Sequence, residues 1–261
     1  MTVNQTETLY VIKVGGAVLE DDASLSAFLD RFVAMPGLKI LVHGGGRAAT
    51  KLSEKLNIES KMEEGRRITD SHTLEIVTMV YGGLVNKKTV ATLQSKGCNA
   101  SGFTGADMNL ITALKRPVNQ IDYGFVGDIT EVNSKALTNL LKTGITPVIA
   151  PLTHDGKGQL LNTNADTMAS AIAVALADLF TVSLVYCFEK PGVLADADDE
   201  NSVIPNLTSE LYQSFKDKGI IHSGMIPKID NSFAAIQQGV KQVIITSAST
   251  LDIKTGTRIS L

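Results

Sequence analysis

Tyr10-Val11-Ile12-Lys13-Val14-Gly15-Gly16 is the stretch whose reading decides the fold. An apolar run of this length, bounded by breakers, has the pattern of a buried parallel strand. In open α/β sheets, ligands bind beyond the C-terminal ends of such strands. Lys13 and the Gly-Gly pair therefore bring a cation and bare backbone to one point, an arrangement suited to an anion. A lysine buried there without a partner is costly, so the sequence calls for a carboxylate to hold Lys13 and for a negatively charged substrate to meet it.

Outward from this strand, Asp21 or Asp22 is placed to cap a helix over 22–34, where Leu25, Phe28, Leu29 and Phe32 recur at helical spacing. Gly37 closes that segment, and Leu38 to Val42 forms a second strand that also runs into glycines, His43-Gly44-Gly45-Gly46. The residues from Arg47 to Leu56 return to helical spacing. Two strand, glycine-turn, helix units in so short a stretch point to a phosphate or carboxylate site built from backbone N–H groups at a helix N-terminus. Gly15, Gly16 and Gly44 are the candidate phosphate contacts.

Rival readings of the glycines fare worse. Gly44, Gly46 and Ala49 satisfy a loose dinucleotide fingerprint, but the acidic residue it needs would be Glu63 or Glu64, which follow a polar stretch and end no apolar strand. The GxxxxGK[ST] pattern of a P-loop is absent. A tight turn alone does not require three glycines, whereas close backbone approach to a ligand does.

Further on, Asp70 or Thr69 caps a long helical stretch from Ser71 to Lys96, with Leu74, Val77, Val80, Leu84 and Val85 on one side. Gly82-Gly83 inside it opposes helix formation and suggests a close packing contact or a subunit interface. Short strands or hairpins follow at Cys98–Thr104, Leu110–Leu114 and Phe125–Ile129, then a helix over 134–142 and a buried strand at Thr146–Ala150. Gln159 to Asn164 leads into an Ala-rich helix over 165–177, with Asn164 as cap and Asp166 in the first turn. The helix dipole alone favours a carboxylate there. A strand at Phe180–Tyr186, a solvated acidic loop at 196–200, helices over 208–218 and to about Gln238, and a final strand at Val240–Thr246 complete the chain. Lys228 sits near a helix start, against the dipole, so helix stability does not explain it.

Composition narrows the function classes. The chain has 261 residues, 44% hydrophobic and 20% charged, and a formal charge of -3 with no basic run, which argues against nucleic acid as a partner. Two cysteines, Cys98 and Cys187, form no CxxC or Cys/His cluster, so a reducing compartment and no structural zinc are expected. MTVNQTETLY lacks the features of a secretion signal, and no apolar run reaches the ~18–20 residues of a membrane span. A cytoplasmic location is expected.

The motifs KVGG at 13–16, HGGG at 43–46, GRRIT at 65–69, NTNAD at 162–166 and GMIPK at 224–228, in this order, resemble the amino acid kinase family, most of all its branch acting on N-acetylglutamate. The resemblance covers nearly the whole chain. It implies an α/β fold, a three-layer αβα sandwich with a mainly parallel central sheet. Two lobes are implied: residues 1–168 binding N-acylglutamate and carrying dimerisation, and residues 169–261 binding ATP. It further implies that Lys13 and Lys228 flank the transferring phosphoryl group, that Asp166 organises both, and that Gly16 and Gly45 supply backbone donors. Gly45, Gly46, Arg67 and Asn162 match the family's N-acetylglutamate contacts, with Arg67 forking onto the α-carboxylate. Nucleotide contacts carry over to Glu189, Lys190, Gly192, Val193, Leu194, Ile221 and His222. Magnesium would arrive on the ATP phosphates, with no carboxylate cage of its own.

The implied chemistry agrees with the residues present. The acceptor is the γ-carboxylate of an N-acylated glutamate, ionised at neutral pH with a pKa near ~4.3, so no general base is needed. His43 and His72 then read as turn or surface residues. What remains to be supplied is relief of repulsion between two anions. Departures also appear. The chain carries Tyr186-Cys187-Phe188-Glu189-Lys190-Pro191-Gly192 where relatives have an Asp-containing turn, and Arg66 where Leu is common. A second cation beside Arg67 suits a larger or charged acyl group such as succinyl. Few residues precede the first strand, whereas arginine-inhibited members form rings through an extra N-terminal helix, so the resemblance implies a homodimer insensitive to arginine. Glutamate 5-kinase, carbamate kinase and a silent amino acid sensor are the alternatives, and the sequence gives no reading of a nitrogen-regulatory partner.

Overall fold

The computed structural model describes residues 7–63, 65–196, 198–221 and 225–261. β1 (Thr8–Val14) ends in a 3-10 turn at Gly16–Leu19, and α1 (Asp22–Ala34), β2 (Leu38–His43) and α2 (Gly46–Lys55) follow. A short hairpin of β3 (Met62–Glu63) and β4 (Arg66–Arg67) leads into one long helical stretch. That stretch is α3 (Ser71–Val77), a π-helical segment (Thr78–Val85) and α4 (Asn86–Ser95). Then come β5 (Ala100–Phe103), β6 (Ile111–Lys115), β7 (Gly127–Val132), α5 (Ser134–Lys142), β8 (Thr146–Ile149), β9 (Leu152–His154) and β10 (Leu160–Asn162). The last part holds α6 (Ala165–Leu176), β11 (Thr181–Phe188), β12 (Asn206–Thr208), α7 (Ser209–Asp217), α8 (Ile226–Gln237), β13 (Gln242–Ser247) and β14 (Thr257–Ser260).

Among the described residues, eight strands form the main sheet in the order β12-β14-β13-β11-β1-β2-β8-β5, parallel throughout except where β14 meets β13. β1 lies inside it between β11 and β2, so Lys13 stands beside Tyr186 on one side and Val42 on the other. A smaller sheet, β10-β9-β6-β7, lies to one side.

The two-residue period of β1 explains the layering. Leu9 and Val11 belong to a core shared with residues of α5, α6, α7 and α8, whereas Ile12 and Val14 belong to a second core with α1, α2, α3 and α4. The result is the expected three-layer sandwich. Alternation also assigns Lys13 to the same face as Leu9 and Val11, the face covered by α6 and α8. The α1 helix forms where its spacing predicts: Asp21 accepts a hydrogen bond from the Ser24 amide at 2.7 Å, and Leu25, Phe28, Leu29 and Phe32 are all buried.

Several expectations are corrected. The strand placed at Val240–Thr246 is β13, but it is not the last, because β14 turns back antiparallel beside it. The lead-in at 159–164 contains β10, paired with β9 across the loop at 154–158, a hairpin the sequence reading missed. Leu84, expected on the packed side of the long helix, is 63% exposed, because the π-helical turn shifts the register of the residues after Thr78. A Cβ on Gly82 would meet Leu152 and Thr104 at an ordinary 3.5 Å, and one on Gly83 would meet nothing within 4 Å. No tight contact among the described residues therefore accounts for these two glycines.

Candidate active site

The residues singled out around the first strand converge at the C-terminal edge of the main sheet. Asn164 accepts hydrogen bonds from the amides of Asp166 (2.8 Å) and Thr167 (3.0 Å), which starts α6 and fixes Asp166 in its first turn. Lys13 Nζ lies 2.7 Å from Asp166 Oδ1, and each side chain is only 12% exposed. The carboxylate demanded by a largely buried lysine on β1 is thus Asp166. Lys228, in the first turn of α8, faces the same pair. Burial lowers its pKa; Asp166 acts to raise it and Lys13 to lower it. Its ammonium sits 3.9 Å from the centre of the Phe188 ring, and that of Lys13 sits 5.3 Å from the same centre. Tyr186, also at the end of β11, donates its hydroxyl to the backbone carbonyl of Asp166 at 3.2 Å.

The two glycine turns lie against each other beside this cluster. A Cβ on Gly15 would lie 3.0 Å from Lys13 Nζ, so a side chain there would displace the ammonium. Gly16 has φ +68, and a Cβ there would lie 3.1 Å from Glu189 Oε1. The amide of Gly44 donates to the Val14 carbonyl at 2.8 Å, so its N–H is already used in pinning the second turn to β1. Gly44 thus holds the loop in place, and the phosphate donor role expected of it is not open to its amide while that bond is made.

His43 is not the turn or surface residue expected. It is fully buried, and burial lowers its pKa to about 4. Its Nδ1 lies 2.6 Å from the Gly44 carbonyl, and its Nε2 lies 3.1 Å from Asn86 Nδ2, which also donates to the Val148 carbonyl at 3.0 Å. A neutral ring with the proton on Nδ1 donates to the Gly44 carbonyl and accepts from Asn86, so His43 braces the glycine turn and its Nε2 lone pair is already engaged. His72 is exposed, as expected.

A pocket of about 210 Å³ opens between α2, β4, β7 and the start of α6. Gly44, Gly45, Gly46, Arg67 and Asn162 line it. Arg67 is 8% exposed and donates through Nη2 to the Gly46 carbonyl (2.9 Å) and Thr50 (2.7 Å), and through Nη1 to Ser60 (2.8 Å). Asn162 donates to Thr69 at 3.0 Å. Tyr81, which the sequence reading passed over, packs so closely on Gly45 that a Cβ there would fall 2.6 Å from its ring. Arg116 was missed as well. It lines the same pocket as Arg66, and Asp128 accepts from its Nε at 3.1 and 3.2 Å. Arg66 is exposed.

A second cleft, of about 490 Å³, is lined by Lys13, Gly15, Gly16, Lys228 and the segment beyond β11. Glu189, Lys190, Gly192, Val193, Leu194 and Ile221 all border it, so the expected nucleotide residues come together. His222 lies outside the described residues. A Cβ on Gly192 would meet Thr257 Oγ1 at 2.7 Å, and Thr257 accepts from the Val193 amide at 2.8 Å, so β14 shapes the cleft. Glu189 accepts from Arg47 at 2.9 Å across the mouth, and Lys190 is turned toward Glu200. Among the described residues no group of three or more His, Cys, Asp or Glu side chains could hold a metal ion. The cations and glycine turns suit an anionic ligand.

Two neighbouring pockets result: the smaller holds Arg66, Arg67 and Arg116, the larger is mostly apolar and is lined by Lys13 and Lys228, and Asp166 sits in the chain between Ala165 and Thr167, which line the smaller one. Residues 8–247 match the model of the amino acid kinase family. The chain is 60% identical over 253 residues to the acetylglutamate kinase of Phocaeicola vulgatus, covering 97% of this chain and 98% of that one. Among solved structures it resembles smu.665 of Streptococcus mutans UA159, with a TM-score of 0.78 at 29% identity over 97% of this chain and 98% of that one. It shares its fold with carbamate kinase from Giardia lamblia bound to AMP-PNP, with a TM-score of 0.70 at 14% identity over 97% of this chain and 98% of that one. The chain belongs to the amino acid kinase family.

Proposed function

We propose that this chain transfers the γ-phosphoryl group of ATP to the γ-carboxylate of N-acetyl-L-glutamate, giving the acyl phosphate and releasing ADP. The observation that carries the reading is the meeting of Lys13, Asp166 and Lys228 between the two pockets, supported by full-length relatives at 56–60% identity that bear the name acetylglutamate kinase. The acceptor in the small pocket takes its α-carboxylate on Arg67, which its three hydrogen bonds hold in a fork, and reaches Asn162 and the Gly45–Gly46 backbone. The nucleotide lies in the larger cleft, with its terminal phosphate between Lys13 and Lys228. The carboxylate attacks already ionised. The side chains supply alignment and positive charge against the oxygens of the moving group, which is where phosphoryl transfer needs help. Magnesium, bound to the phosphates, would supply further neutralisation.

Division of labour follows from this reading: residues 1–168 hold the acceptor and residues 169–261 the nucleotide. Assembly as a homodimer is supported by the exposed Met79 and Leu84 and the open Gly83 on the long helix. No helix among the described residues is long and apolar enough to cross a membrane, and Cys98 and Cys187 are unpaired, which suits a cytoplasmic enzyme.

The names of the relatives favour the acetyl group. One observation favours an acyl group ending in a carboxylate, such as succinyl: Arg66 and Arg116 both line the acceptor pocket, and Arg116 Nη1 is buried with no hydrogen-bond partner among the described residues. Trapping the acyl phosphate with hydroxylamine, with ATP and acetyl-, succinyl- or free glutamate, tests both readings. Hydroxamate from an N-acylglutamate supports the kinase, and the preferred acyl group decides the specificity. No hydroxamate from any of them refutes the proposal.

A further inference from the structure

The reaction as derived makes no use of Phe188, yet both active-site cations gather on its ring. Two ammonium groups beside a single carboxylate leave one positive charge in excess, and in a half-buried site they repel. Asp166 takes Lys13 at 2.7 Å. Lys228 lies instead over an aromatic face, 3.9 Å from its centre, well inside the ~6 Å at which the negative face of a ring attracts a cation. Phe188 is itself held in place. Two residues earlier on the same face of β11, Tyr186 lies 6.2 Å from it at an interplanar angle of 21°, and Tyr186 is tied to the Asp166 carbonyl. One strand face thereby fixes the start of α6 and the resting place of the Lys228 ammonium together.

We propose that Phe188 is a positioning residue for phosphoryl transfer: its ring face holds the Lys228 ammonium beside the Lys13–Asp166 pair before the phosphoryl group arrives. The proposal rests on the reading of Lys228 as a cation that stabilises that group. The electron density of the ring, and not only its bulk, then sets the rate of the chemical step, because a lysine left to repulsion and solvent has to be brought back on every turnover.

The test is to place mono-, di- and trifluorophenylalanine at position 188 of the full chain by codon suppression, which keeps the ring's shape while draining its negative face. Lys228→Ala and Phe188→Leu are measured alongside. The expected result is a stepwise fall in kcat with fluorine number, reaching about tenfold for the trifluoro ring, with KM for N-acetylglutamate unchanged and Phe188→Leu at least as slow. A flat series with Lys228→Ala inactive would overturn the role of Phe188 and leave the reaction standing. Wild-type kcat in Lys228→Ala would remove the premise and the proposal with it. A rise in KM for ATP at constant kcat would make the ring a nucleotide contact and overturn the proposal as well.

Discussion

Lys13 Nζ and Asp166 Oδ1 are 2.7 Å apart, although one side chain ends the first strand and the other opens a helix in the second half of the chain. A lysine on an inner strand of a parallel sheet needs an anion, and the first turn of α6 presents one to the face on which Lys13 must lie. The same contact leaves the ammonium in the wall of the larger cleft, beside Gly15 and Gly16, where it can be shared with an arriving anion.

Lys13→Ala removes a preorganised donor from the charge that develops on the phosphoryl group. A fall in kcat of about 10²–10³ is expected, the usual consequence of losing one such group. Steady-state assay with saturating substrates measures it, and a rate near that of the wild type would contradict the role given to Lys13.

Asp166→Asn keeps the shape of the first turn and leaves two cations facing each other at the positive end of a helix. The expectation is a fall in kcat of at least about tenfold with no rise in KM for ATP, since a negative charge near the phosphates has been removed. Breaking a largely buried pair also lowers folding stability, by up to about 3–5 kcal/mol. Urea unfolding followed by circular dichroism reads the second effect; a variant as stable as the wild type would show that the pair contributes nothing to the fold.

Arg67→Lys retains the charge but not the fork. Because Arg67 is oriented through Gly46, Thr50 and Ser60, a lysine cannot reproduce its alignment on a carboxylate. KM for the acylglutamate is expected to rise about tenfold or more, with KM for ATP within about twofold. Equal rises in both constants would argue for a general loss of structure.

His43 makes stability depend on pH in a definite direction. The folded ring, with its pKa lowered to about 4, stays neutral where the unfolded chain takes up a proton near 6.5. The unfolded state therefore binds more protons between these values, so the contribution of His43 is complete above pH 6.5 and is lost as the pH falls toward 4. His43→Gln should flatten the pH dependence of unfolding free energy in this window by about 1 kcal/mol per pH unit relative to wild type. Identical slopes would contradict the buried, neutral ring.

Much of this arrangement was legible in the sequence, for identifiable reasons. Strand β1 and helix α1 carry strong periodicity and a side-chain cap, so their bounds follow from local chemistry alone. Lys13 and Lys228 stood out because neither the strand nor the helix dipole accounts for a cation there. Asp166 was ambiguous, since a first-turn carboxylate serves a helix equally well, and only its distance from Lys13 shows the second partner. His43, Tyr81 and Phe188 were opaque for another reason: their environments come from strands and helices remote in the chain, and no local pattern records them. The hairpin of β9 and β10 was missed because three-residue strands carry too little alternation to register, and β14 because it is short and closes the sheet in the antiparallel sense.

The central claim is that two lysines converge on one migrating phosphoryl group. A crystal structure with MgADP, tetrafluoroaluminate and N-acetylglutamate measures this directly, because the fluoroaluminate stands in for the transferring PO₃ unit. The account predicts both ammonium groups within hydrogen-bonding distance of its equatorial fluorides, about 3 Å, with Asp166 still against Lys13. A complex in which either Lys13 or Lys228 points away from the fluoroaluminate would contradict it.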